Sequence, residues 1–149
     1  MAEKYFNRQE AEELLPQIGL LLRAACKQKR AIESLVVEIA QVTSRLMMLG
    51  GALPPYAQLS HKKSESEKGR AKLAETIDKI QRTGCVVKDL DVGLVDFPTL
   101  RGGEEVCLCW KLGEEHIEYW HGIDEGFAGR KPLADSGRGE DRPGQRRPQ

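Results

Sequence analysis

Asp89, Asp91, Asp96, Arg101, His121, Asp124 and Arg130 crowd the stretch from Lys88 to Lys131. Trp110, Trp120 and Phe127 are interleaved with them, and both tryptophans of the chain lie here. Two arginines offer bidentate donors to a phosphate or carboxylate. A histidine close to a carboxylate is a proton-handling pair, and aromatic walls suit a small organic ligand. Asp91, Asp96, Arg101, Trp110, Trp120, His121, Asp124 and Arg130 are therefore the candidate binding residues. A structural account competes with this one. Aspartates start turns, as in Asp91-Val92-Gly93, and arginine–aspartate pairs tie loops down.

The thiols are Cys26, Cys85, Cys107 and Cys109. Cys107 and Cys109 are two apart in a strand-like run, so both point to one face. A structural zinc site usually folds a Cys-x-x-Cys loop around the ion and uses four ligands. That spacing is missing, and the strand register argued below sends His121 to the other face. No metal centre and no cofactor are expected. No nucleophile elbow, Walker loop, dinucleotide fingerprint or zinc-protease helix occurs in the sequence, which weighs against an enzyme.

Two helices must carry this segment. Ala11, Leu14, Ile18, Leu21, Ala25, Gln28, Ile32, Leu35, Ile39, Val42, Leu46 and Leu49 recur at three- and four-residue steps, with Gln28 the single polar member. Such a stripe invites a partner helix. Asn7 and Glu10 form a capping box, so the helix starts near Arg8. Pro16 predicts a kink, or a short separate helix ending at Leu15. Gly50-Gly51 and Pro54-Pro55 end the element. The second helix starts at Tyr56 or, with Ser64 as cap, at Glu65, and stops before Gly84. A hairpin turning at Gly50–Pro55 sets Leu46 against Leu59, Ile32 against Leu73 and Ala25 against Ile80. Its middle is poor: Val42, Ile39 and Leu35 face Lys63, Ser66 and Arg70. Lysine and arginine stems cover such a surface, or a second copy does. Leu35, Val36, Ile39 and Val42 are the candidate self-association residues, and a dimer is expected.

The first turns of the long helix outrun the second. Leu14, Leu15, Ile18 and Leu22 therefore need cover from the residues after Gly84. Cys85–Leu90 reads as a strand, and Leu94–Phe97 as another that Pro98 confines to an edge or an end. Glu105–Leu112 and Ile117–His121 form a hairpin. Pairing Trp110 with Tyr119 and Lys111 with Glu118 is favourable, whereas a one-residue shift sets Trp110 against Glu118. In the favoured register Val106, Leu108, Trp110, Leu112, Ile117, Tyr119 and His121 share the helix-facing side. Cys107, Cys109, Lys111, Glu118 and Trp120 share the other. The predicted fold is α+β: a long antiparallel, coiled-coil-like helical hairpin followed by a small antiparallel sheet packed on its open end.

Composition sets outer limits. The 149 residues suit one domain, 1–133, with a polar, disordered tail at 134–149. Basic and acidic residues balance at 23 each, so no nucleic-acid partner is expected. No run approaches the roughly 20 apolar residues of a membrane span. The opening residues lack a secretory h-region. A cytoplasmic protein with reduced thiols is the expectation.

The stretch from Lys88 to Leu133 resembles the bacterial domain-of-unknown-function family 2203, as does the opening from Tyr5 to Ile18. Lys88-Asp89-Leu90-Asp91, Gly93-Leu94-Val95-Asp96-Phe97-Pro98, Leu108-Cys109-Trp110, Trp120-His121 and Gly126-Phe127-Ala128-Gly129-Arg130 carry the resemblance. The resemblance implies an aromatic residue at the position of Cys107 in many relatives. It implies no assigned activity, although some members bear a DivIVA-like label. Two readings follow: a cytoplasmic assembly module that self-associates through its helices, or a small-molecule or anion binder using the Asp/Arg/His/Trp cluster.

Overall fold

The computed structural model describes residues 4–49 and 56–133. Helix α1 spans Arg8–Met48 and helix α2 spans Tyr56–Gln81. A five-stranded antiparallel sheet follows: β1 Val86–Asp89, β2 Leu94–Arg101, β3 Glu104–Lys111, β4 Tyr119–Gly122 and β5 Lys131–Pro132, in the spatial order of the chain. The protein is α+β. The turn expected at Gly50–Pro55 and the tail at 134–149 lie outside the described residues.

The capping box at the start of α1 is complete. The Glu10 amide donates to Asn7 Oδ1 at 2.7 Å, and the Asn7 amide donates to Glu10 Oε1 at 3.0 Å. The helix then runs unbroken through Pro16, so no separate helix ends at Leu15. An interior proline costs about 3 kcal/mol. Here Ala11, Ile18 and Leu22 are fully buried on either side of it, and that packing holds the turn helical.

Helix α2 starts at Tyr56, and its stripe keeps Ser66 and Ile80 of the expected one but not the cations Lys63 and Arg70. Ser66, Thr76 and Ile80 are buried, while Lys63 and Arg70 are exposed. Ile32 meets Gly69, one helical turn before Leu73. Lys62 rather than Lys63 faces α1, and its Nζ donates to Glu38 at 2.7 Å. The reason is size. Serine, glycine and threonine at these places let α2 approach α1 closely, so small residues take the inner stripe and Lys63 and Arg70 turn outward.

The core lies between the first turns of α1, the end of α2 and one face of the sheet. Phe6, Ala11, Ile18, Leu22, Ile80, Val95, Phe97, Leu108, Trp110 and Ile117 are buried together, with Leu14 and Leu15 packed against them. The residues after Gly84 thus cover the overhanging start of α1, as expected. β2 continues past Pro98, so of the two expected places, an edge or an end, the proline takes a local edge. β1 pairs with β2 only as far as Asp96. Beyond it the Pro98 carbonyl accepts the Phe6 amide at 2.8 Å. In an antiparallel strand a residue's N and C=O point the same way. The missing proline donor therefore faces this edge and costs no bond to β3.

Candidate functional site

The hairpin of β3 and β4 has the register that cross-strand preference disfavoured. Cys109 opposes Tyr119, Leu108 opposes Trp120, and Cys107 opposes His121. β4 begins at Tyr119 rather than Ile117, because residues 112–118 form a long connection instead of a tight turn. That connection is held by its own bonds. The Trp110 indole donates to the Glu114 carbonyl at 3.0 Å, and the Lys111 amide donates to Glu114 Oε1 at 2.9 Å. Glu12 of α1 accepts the Ile117 amide at 2.8 Å.

A shift of one residue exchanges the faces of a strand. Tyr119 and His121 therefore leave the expected helix-facing set, and Trp120 joins the core side instead. Asp96 opposes Cys109 across β2 and β3. The face turned away from the helices thus carries Asp96, Cys107, Cys109, Tyr119 and His121. Part of it is closed to water: Asp96 and His121 are each 1 % exposed and Cys109 is fully buried, while Cys107 and Tyr119 are half-buried.

His121 is the centre of this face. Its Nδ1 lies 2.7 Å from the Gly122 carbonyl, and its Nε2 lies 3.0 Å from Asp96 Oδ1. The histidine partner is Asp96; Asp124 is exposed on the turn after β4. Cys107 Sγ, the Asp96 carboxylate and a His121 ring nitrogen all lie within 4.8 Å of one another. One of the two grounds for expecting no metal centre, that His121 and Cys107 sit on opposite faces, does not hold; the absence of a Cys-x-x-Cys spacing stands. Burial and the neighbouring Asp96 carboxylate push the Cys107 thiol up to about 12. Burial likewise lifts Cys109 to about 11, against the lowering effect of Arg130. A thiol raised in this way is a poor nucleophile.

The other candidates fall into separate, internally paired sets. Arg130 donates to Glu114 Oε1 at 2.8 Å and to the Cys109 carbonyl at 3.3 Å, and its guanidinium lies 4.2 Å from the Tyr119 ring and 4.7 Å from the Phe127 ring. Arg101 and Lys131 stand over Trp120, at 4.9 and 4.8 Å. Asp91 pairs with Lys29 of α1 and pins the β1–β2 turn to the helix. Trp110 packs in the core beside Gly19. Arg130, Arg101, Asp91 and Trp110 are thus each engaged with other residues of the chain. Cys107, Glu114 and Tyr119 join the charged residues as partners that were not among the candidates. Only the register signals Cys107, whereas no sequence feature marks Glu114.

At the far end of α1, Val36, Val37, Met47 and Met48 are exposed, while Val42 is buried within the chain and Leu35 and Ile39 are half-buried. Ala40, Thr43, Ser44, Met47 and Met48 line a shallow groove of about 560 Å³ there. No helix of the described residues is long and apolar enough to cross a membrane.

No curated protein and no solved structure matches the chain. A family model does, over residues 4–133, a span that takes in all of the described residues. The chain belongs to the family described as uncharacterized conserved protein (DUF2203).

Proposed function

We propose that this protein is a non-catalytic assembly module that self-associates, most simply as a dimer, through the end of its helical hairpin remote from the sheet. One observation carries the reading. Val36, Val37, Met47 and Met48 are 45, 55, 78 and 83 % exposed. With Ala40, Thr43 and Ser44 they recur at three- and four-residue steps, so they share one side of α1. A contiguous apolar surface of this kind marks an interaction site. Its place along the helix is a coiled-coil-like seam for a second copy, beside the stripe that α2 already covers. Of the four residues named from the sequence, Val36 belongs to this seam. Val42 supports the chain's own helix pair, with Leu35 and Ile39 at the border.

Light scattering on the full chain at tens of micromolar tests the proposal. A dimer is expected, and Val37→Lys combined with Met47→Lys should return monomers with unchanged helicity, since both side chains are exposed. A monomeric wild type at that concentration overturns it. The alternative, a small-molecule or anion binder in the β region, draws less support, because Arg130 and Arg101 are engaged with Glu114 and with aromatic rings of the same chain.

A further inference from the structure

The geometry points to a divalent transition-metal site formed by Asp96, Cys107 and His121, with zinc as the expected ion, independent of the assembly proposed above. Three observations lead to it. The Gly122 carbonyl 2.7 Å from His121 Nδ1 can only accept, so Nδ1 carries a hydrogen. A neutral imidazole protonated there presents a lone pair at Nε2. Nε2 faces Asp96 Oδ1 at 3.0 Å, so two lone pairs meet unless a second proton or a metal ion lies between them. The second carboxylate oxygen, Asp96 Oδ2, is buried and has no hydrogen-bond partner among the described residues. The Cys107 sulfur opens onto the same point, with the three ligating atoms within 4.8 Å of one another.

A second proton on the imidazole answers the first observation only. A divalent metal answers all three. It accepts the Nε2 lone pair, engages the carboxylate and binds Cys107 as the thiolate, whose proton leaves to solvent. One carboxylate and one thiolate then neutralise the two positive charges, so the buried cluster carries no net charge. A donor set of one nitrogen, one sulfur and one oxygen suits zinc and disfavours magnesium and calcium, which prefer oxygen alone. Donation from the far ring nitrogen to a backbone carbonyl is the usual support for a metal-bound histidine. Three protein ligands leave one tetrahedral position for water or another small donor.

The test uses the full chain, stripped with a chelator and titrated with Co²⁺ and then Zn²⁺. About one equivalent of Co²⁺ per chain is expected, with a near-ultraviolet thiolate-to-cobalt charge-transfer band that Zn²⁺ abolishes by displacement. Cys107→Ser should remove the band and weaken Zn²⁺ binding by roughly tenfold or more, with circular dichroism unchanged. Cys109→Ser, on the same face but outside the trio, should keep the band. A wild type that binds neither ion at tens of micromolar overturns the site, as does a cobalt spectrum without the thiolate band. A band that survives Cys107→Ser overturns it equally. These readouts are independent of oligomeric state, so failure here and failure of the assembly are told apart.

Discussion

At the residue scale, burial decides what each polar group can do. His121 and Asp96 are held together where water does not reach, and removing one partner of such a pair leaves the other stranded. Asp96→Ala should lower stability by about 3 kcal/mol, measured by urea unfolding with a chelator present so that no metal contributes. A loss under about 1 kcal/mol would mean the pair is not an anchor of the sheet. Cys26 and Cys85 show the same principle from the other side. Burial raises both thiols above their ordinary value of 9.0. The folded state therefore keeps protons that the unfolded chain releases in alkali. Their contribution is whole below that value and is lost as pH rises from it through the higher values of the folded state. Stability should hold steady to about pH 8.5 and fall beyond it, and native Cys85 should alkylate far more slowly than in urea.

At the element scale, glycines decide between space and strain. A Cβ on Gly19 of α1 would lie 3.9 Å from the Trp110 ring, an ordinary contact. Gly19→Ala should therefore stabilise the protein by about 0.5–1 kcal/mol through helix propensity. Gly93 is the opposite case. It has φ +71°, and a Cβ there would fall 2.7 Å from Leu112 Cβ. Its carbonyl also accepts the Leu112 amide at 2.8 Å, so the turn between β1 and β2 cannot easily move. Gly93→Ala should cost at least about 1–2 kcal/mol. Thermal melts of the two variants, one above and one below wild type, check both statements.

At the scale of the whole molecule, α1 does two jobs along its length of about 60 Å. Its first half is the floor on which the sheet is built, through Ala11, Ile18 and Leu22. Its second half is covered on one side by α2 and carries Val36, Val37, Met47 and Met48 on another. If the exposed side joins a second copy, association and folding are linked. The melting temperature should then rise with protein concentration over a hundredfold range. The Val37→Lys, Met47→Lys variant should lose that dependence and keep the wild-type melting temperature of the most dilute sample. A wild-type melting temperature independent of concentration contradicts the linkage.

Local signals determined the parts. Asn7 and Glu10 specify the cap, the three-four stripe specifies α1, and the alternation of Glu105 to Lys111 specifies β3, because each acts on neighbours a turn or a pleat away. The overhang at Leu14 and Ile18 was legible too, since two helices of unequal length leave apolar surface that something in the chain must cover. The positions of partners were not. Pro16 stays helical and Pro98 stays in its strand for reasons supplied by distant residues, Phe6 among them. The β3–β4 register rests on the bonds of the 112–118 connection and on Glu12, and these outweigh a Trp110–Tyr119 pairing worth about 1 kcal/mol or less. That single step decided the candidate site. With a side-chain period of two, one residue of slip carried His121 from the helices to Asp96 and Cys107, and only the tertiary structure could set it.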